Sequence, residues 1–461
     1  MPTRARFLTS QTSRRSAGLF MKVAAGIAAV LLAGPLAHAW SDHSFCTWQA
    51  LNGMPELSGR MTQAESLGDY VRARADALPA LLEREESWAR AELPDYAPRP
   101  DALKFQAPAR SAPDAAWQLA FLRAIRVNEQ ARLSLFLQRR PGQAIAPVRR
   151  LDWQAVSTLH SGSGNAQFEK LDAGEAVSAY EVIATASSEP DYGLDLGLWA
   201  DSGTAQGMAT RFGPLPFGNP RFEYSGQAPF HMGFFHESRV IYAAAGYLKR
   251  SYVEARIHLY LSLARDALAH GRAYWGWRFT GWAMHYVQDL TQPYHARVLP
   301  GIGTGRLIWI DLQDLLGRHG PKNDAINRVT NRHTVIEGYQ LGRMAMAYST
   351  GHDDEPLFLA LRDTSGDRAN WQFGPHTGRD LVSAEAAAAA DALDAQLVLS
   401  FPSHYTDDPA TDLSKAKDID FAAIAHDHAP DQEKALLAQM RPLMQAMGRH
   451  SRAVVRAALS S

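Results

Sequence analysis

Apolar residues recur at intervals of three and four along most of this chain. Leu81 to Glu92, Pro113 to Gln138, Ser238 to His270, Arg272 to Leu290, Thr334 to Tyr348, Ser383 to Leu399 and Gln432 to Leu459 each gather them on one helical face. Runs of alternating β-branched residues are scarce, so the pattern predicts an all-α protein. Pro and Gly mark the loops, at Pro141 to Pro147 and over the long stretch Gly203 to Pro229, with its Gly213-Pro214, Pro216 and Gly218-Asn219-Pro220. A loop of that length inside a compact domain favours a lid or binding role over plain connection. No low-complexity linker and no strong internal repeat divides the chain. One large multi-helix domain with loop insertions is the simpler organisation, and a boundary near 150–170 is the alternative.

The first residues break the helical pattern. A basic stretch with Arg14, Arg15 and Lys22, an apolar run from Val23 to Leu36 and the small-residue site Ala37-His38-Ala39 read as an export signal over 1–39, with Met1 and Met21 both available as starts. The apolar run of 14 residues is too short to span a bilayer, and no later segment offers about 20 uninterrupted apolar residues, so no transmembrane anchor is expected. The mature chain, 40–461, is expected to begin at Trp40 and to be a soluble monomer in the periplasm or outside the cell. Cys46 is the only cysteine, which leaves no intramolecular disulfide. With 47 Lys and Arg against 48 Asp and Glu, no global field draws in nucleic acid or an anionic membrane, so recognition of phosphate has to be local.

Candidate chemistry concentrates in Ala283-Met-His285-Tyr-Val-Gln-Asp289-Leu-Thr-Gln-Pro293-Tyr-His295. His285 and Asp289 are four apart and project from one helical face, where they can clamp a cation; Pro293 ends the helix and lets His295 turn back toward the same region. His333 and Glu337 repeat the four-residue spacing. Imidazole nitrogen and carboxylate oxygen are ligands that zinc accepts. Taken singly, each pair is more often a capping or salt-bridge pair; two pairs with an additional His suit a cluster. Cleavage after Ala39 would give Trp40 a free α-amine beside its own carbonyl, able to chelate zinc in a five-membered ring, and His43 stands three residues away.

Together, His285-x3-Asp289-x5-His295 with Gln292-Pro293, His333-x3-Glu337 and a mature N-terminal Trp40 resemble the zinc-dependent phospholipase C and single-strand-specific nuclease superfamily, closest to the bacterial phospholipases C. The resemblance covers mainly 187–340 and the first mature residues. It implies an all-α fold of that type with three zinc ions. His285 and Asp289 would serve the first, with Asp289 bridging to the ion held by Trp40 and His43, while His295, His333 and Glu337 would hold another. The first ion also needs an upstream Asp and His: Asp191, in Glu189-Pro-Asp-Tyr-Gly, with Asp195 and Asp201 as rivals, and His231, with His236 as its rival. The segment from about 51 to 185 has no counterpart in the family's short form.

The activity so implied is hydrolysis of a phosphodiester by a water of lowered pKa, which Asp191 orients or deprotonates, without a Ser or Cys nucleophile. The single Cys, and Trp40-Ser41-Asp42-His43 in place of a Trp-Gly start, favour a phospholipid at a membrane surface as substrate over single-stranded nucleic acid, so no stable nucleic-acid partner is expected. The nuclease and a non-catalytic exported helical binding protein are the alternatives. The loop around Leu215-Pro-Phe217 offers either lipid contact or ordinary packing. His426, Asp427 and His428 read as solvated, Trp275, Trp277 and Trp282 as core or pocket wall, and Ser161-Gly-Ser-Gly164, which lacks a phosphate-loop ending, as a flexible turn.

Overall fold

Twelve helices of eight residues or more organise the described chain: α1 His43–Ala50, α2 Leu67–Arg74, α3 Leu78–Glu92, α4 Asp114–Ala124, α5 Ala179–Ala186, α6 Val253–Ala269, α7 Ala273–Asp289, α8 Thr304–Leu315, α9 Gly320–Thr350, α10 Ala384–Ser400, α11 Phe421–His428 and α12 Pro430–Leu459. This computed structural model describes residues 42–460, apart from 161, 163–165, 219–222, 368–371 and 414–418. The export signal read in 1–39, Trp40, and three of the four residues of the Ser161-to-Gly164 turn lie outside the described residues. The chain is mostly helical, as the apolar spacing predicts. Among the described residues strand is confined to β1 Met61–Gln63 paired antiparallel with β5 Ala176–Ser178, and a three-stranded antiparallel sheet in the order β2 Phe136–Arg139, β4 Gln167–Lys170, β3 Arg150–Leu151. No helix among the described residues is long and apolar enough to cross a membrane.

Helix α7 is the axis, with every residue from Tyr274 to Asp289 buried. Trp275, Phe279, Trp282 and Tyr286 recur along it at helical spacing; Tyr260 of α6 meets the Trp282 ring at 5.1 Å and that of Tyr286 at 5.9 Å. The tryptophans at 275, 277 and 282 are therefore core. On another side, α5 crosses at Gly281, where a Cβ would lie 2.5 Å from the Ala186 methyl and 2.7 Å from the Ile183 carbonyl oxygen. Only glycine permits that approach. The segment 51–185 sends Tyr70, Trp117 and Phe121 into the same core as Tyr260, Phe279 and Val454. A second core gathers Phe45, Tyr294, Val335, Ile336, Leu397 and Leu436. The ligand-type residues lie on the seam between the two.

Three helices differ from their apolar pattern. The stretch from Pro113 stays helical only to Ala124, because Arg126 takes a left-handed backbone (φ 51°) and sends its guanidinium to the Ala97 carbonyl and over the Phe212 ring; β2 begins where helix is predicted to continue. The stretch 238–270 breaks into Arg239–Ala244 and α6, since Ser251 and Tyr252 are tied to the Met232 and Pro229 carbonyls. The stretch 334–348 is part of the 31-residue α9. In the long loop, Phe217 is buried with Phe234 and Leu248, so this part packs rather than facing lipid.

One buried ion pair braces the axis. Arg278 Nε lies 2.9 Å from both Glu189 carboxylate oxygens, and Trp282 donates its indole N–H to the same carboxylate at 2.7 Å. Removing one partner leaves an uncompensated buried charge. Arg278→Ala is expected to destabilise the protein by about 3–5 kcal/mol in urea unfolding, and pairing Arg278→Met with Glu189→Gln to recover most of that loss; a single variant as stable as wild type would contradict the assignment.

Candidate metal centre

Five chain segments deliver the site. His285 and Asp289 share a face of α7, and the helix ends there as Gln292 accepts the Tyr294 N–H (3.2 Å) and caps the single turn Pro293–Ala296 that carries His295. His333 and Glu337 lie on one face of α9. His43 is the first residue of α1, reached through Asp42 in a left-handed conformation (φ 64°). His231 ends the turn Ala228–His231, which the bonds from Ser251 and Tyr252 hold in place. Asp191 sits in the 3-10 turn Glu189–Tyr192, closed by Gly193 at φ 103°.

Asp289 is the hub. Its Oδ1 faces His43 Nε2 at 3.5 Å and His295 Nδ1 at 3.8 Å; its Oδ2 faces His231 Nδ1 at 3.0 Å and His285 Nε2 at 3.3 Å. Asp191 lies 3.7 Å from His43 Nε2, 3.7 Å from His231 Nδ1 and 3.8 Å from His285 Nε2. Three groups have ligand atoms within 4.8 Å of one another: His43, His285 and Asp289; Asp191, His231 and His285; and His295, His333 and Glu337. Donors at 2.0–2.2 Å from a tetrahedral zinc stand roughly 3.3–3.6 Å apart, close to these separations.

Hydrogen bonding orients the rings. His285 Nδ1 lies 2.7 Å from the Ser187 carbonyl, which can only accept, so the ring donates there and turns the Nε2 lone pair to His231 Nδ1, 3.0 Å away, and to the carboxylates. His295 Nδ1 likewise meets the His231 carbonyl at 3.1 Å. His43 Nδ1 meets Gln288 Oε1 at 2.9 Å, while the Gln288 amide nitrogen donates to Thr47 and Ser451 and so holds the oxygen toward the ring. The buried His43 Nε2 and His295 Nε2 make no hydrogen bond, and the Asp289 oxygens face only imidazole nitrogens. Lone pairs converging on one another repel unless a positive charge lies between them. The donor set fits a cation that accepts nitrogen and oxygen.

Protonation alone satisfies the cluster unevenly. Burial opposes charge on His231, but Asp289, Asp195 and Asp191 outweigh it and push its pKa up to about 10. Burial opposes charge on His43 too, and the Asp289 and Asp191 carboxylates again raise it. His285 is held down by burial and by His43 nearby, and burial takes His295 down to about 3. Burial works against the Asp289 carboxylate, yet His285 and His231 keep it well below the usual range.

The structure brings together His43, Asp191, His231, His285, Asp289, His295, His333 and Glu337, eight of the ten candidate ligands. Trp40 lies outside the described residues. His236 is excluded: it is exposed and its Nε2 meets the Arg379 carbonyl at 2.9 Å, because the chain leaves the site after His231. Asp201 is exposed and accepts the Leu215 N–H. Asp195 bonds Arg256 and Tyr286, each at 2.6 Å, and stands 3.6 Å from His231 Nε2, where it backs that ring. His426 and His428 are exposed, as expected. Sequence reasoning missed Gln288 and Ser187, whose orienting oxygens carry no spacing signal. No protein-family model, no curated protein and no solved structure matches this chain.

Two outcomes follow for metal binding. With its folded pKa near 10 against an ordinary 6.5, His231 gains from its carboxylate partners at neutral pH and below, and loses that gain as pH rises through 10. Metal loading needs the neutral ring, so zinc affinity is expected to rise with pH over the same span, with proton release at pH 7 read by calorimetry in buffers of different ionisation enthalpy. A pH-independent affinity would contradict this. Gln288→Met, which removes the orienting oxygen from His43, is expected to weaken zinc binding by about 10–100-fold in competition with a chromophoric chelator.

Proposed function

We propose that this chain is an exported zinc-dependent phosphodiester hydrolase of the phospholipase C type, with the helical fold of that superfamily. The observation carrying the reading is the convergence of imidazoles, their Nδ1 atoms already engaged, on the buried carboxylates of Asp289 and Asp191. One ion would take Asp191, His231, His285 and Asp289; a second His43 and Asp289, completed by the Trp40 amine and carbonyl; a third His295, His333 and Glu337. Zinc bound there supplies Lewis acidity toward the phosphoryl oxygens and lowers the pKa of a water toward about 7.

The chain's own residues supply orientation and proton handling. Asp289 is fully buried and holds the two halves of the cluster in register through its two oxygens. The Asp191 side chain is 7 % exposed, the greater access of the two carboxylates, and its Oδ atoms can orient an attacking water and take its proton. His333 lies 2.6 Å from Glu337 and its side chain is 9 % exposed. The near-neutral net charge offers no field for a polyanion, which favours a phospholipid headgroup ester over single-stranded nucleic acid.

Asp289→Asn is expected to remove hydrolysis, lower zinc content and reduce thermal stability together, because the metals belong to the core. The exported protein is expected to begin at Trp40 by N-terminal sequencing, to contain three zinc ions by elemental analysis, and to hydrolyse phosphatidylcholine in a chelator-sensitive manner. A folded, metal-free and fully active preparation would overturn the proposal, and preference for denatured DNA would move it to the nuclease.

A further inference from the structure

Helix α8 turns an apolar arc to solvent. Its residues Ile308, Trp309, Leu312 and Leu316, the last at the C-terminal cap, are 51, 43, 51 and 63 % exposed. Spaced i, i+1, i+4 and i+8, they share an arc of about 100°. The inward side carries Ile310 and, unexpectedly, the acidic Asp314, buried and bonded to His319 (2.5 Å) and Lys322 (2.8 Å). A helix serving only the core would turn the other way. Of the eleven large apolar residues exposed in the described chain, four fall in these nine positions, and Trp309 is the one exposed tryptophan among the described residues.

The occupant of this face can be argued from its size, charge and place. Four half-exposed side chains present on the order of 400 Å², about half of what a standard protein–protein interface takes from each partner. That is too little for a stable dimer and enough for an interfacial helix. Arg306 and Arg318 are exposed at either end, and the Arg306 guanidinium lies 4.7 Å from the Trp309 ring, an amphipathic pair suited to the level of phosphate headgroups. The helix is joined in the chain to the candidate metal centre at both ends. It follows the His295 turn by a short connection, and Lys322, which grips Asp314, precedes His333 on α9 by three turns, roughly 16 Å along the axis.

We infer that the exposed face of α8 is a membrane-docking surface that seats the protein on a phospholipid bilayer, with the tryptophan at the headgroup boundary and the leucines and isoleucine among the acyl chains. The inference rests on the phospholipase reading for the choice of a phospholipid surface, but its test does not use catalysis. The full mature protein is sedimented with extruded phosphatidylcholine–phosphatidylglycerol vesicles. Wild type is expected to pellet, and Trp309→Ser/Leu312→Ser to lose partitioning about tenfold or more, with its thermal unfolding unchanged. Met208→Ser, at a more exposed apolar position on the helix Ala205–Thr210, is expected to pellet like wild type. In wild type, hydrogen exchange of the amides of 304–316 is expected to slow on vesicle addition. Wild type remaining in the supernatant, or the double variant pelleting like wild type, overturns the inference. So does light scattering that shows a dimer which the double variant dissociates, since the face would then belong to a second copy. Failure of the phospholipase reading would appear separately, as absence of zinc or of chelator-sensitive hydrolysis.

Discussion

A carboxylate with no access to water, ringed by four imidazoles, is the constraint around which this molecule is arranged. Asp289 lies within 3.8 Å of His43, His231, His285 and His295. An isolated charge in such a place costs several kcal/mol, and neutral imidazoles relieve it only by pointing N–H groups at it. Three of these rings spend their Nδ1 hydrogens elsewhere, on Ser187, Gln288 and the His231 carbonyl. The missing positive charge must come from protons on some rings, which mutual repulsion limits, or from cations among them.

The rest of the fold can be read as the apparatus that holds those rings still. Gly281 admits α5 close enough to put the Ser187 carbonyl under His285. Gln288 is adjacent to the hub in sequence, yet its amide is fixed by Thr47 from α1 and Ser451 from α12, so the first and last described helices together decide how His43 points. His295 leans on the backbone of His231, which couples the group of His295, His333 and Glu337 to that of Asp191, His231 and His285. Arg256 and Tyr286 steady Asp195 behind His231. Disturbing any one of these elements reaches the others through shared oxygens rather than through the apolar core.

Polar groups inside and apolar groups outside form one theme at two places. At the seam of the two cores the buried charges of Asp289, Asp191 and the imidazoles face one another. At α8, Asp314 is turned in and satisfied locally while Trp309 and Leu312 are turned out. Both arrangements cost stability in water. Each becomes favourable in the presence of something else, a cation at the first and a lipid surface at the second under the function proposed here.

Much of this was legible in the chain. Apolar spacing gives α3, α7, α10 and α12 nearly to their ends, because a 3.6-residue period is a local property that burial on one face imposes. The pairs His285 with Asp289 and His333 with Glu337 are legible for the same reason, as four-residue spacing puts two side chains on one face wherever a helix forms. What local spacing cannot hold is contact between distant segments. The end of α4 is set by Arg126 finding Ala97 and Phe212, and the choice of His231 over His236 by two bonds from Ser251 and Tyr252. The selection of Asp191 for the site, Asp195 for support and Asp201 for the surface likewise follows from which turn meets α7. The sequence by itself determined a helical protein with ligand-type residues at helical intervals; only the tertiary structure decided which of them converge, because convergence depends on close approaches such as that at Gly281, made between residues far apart in the chain.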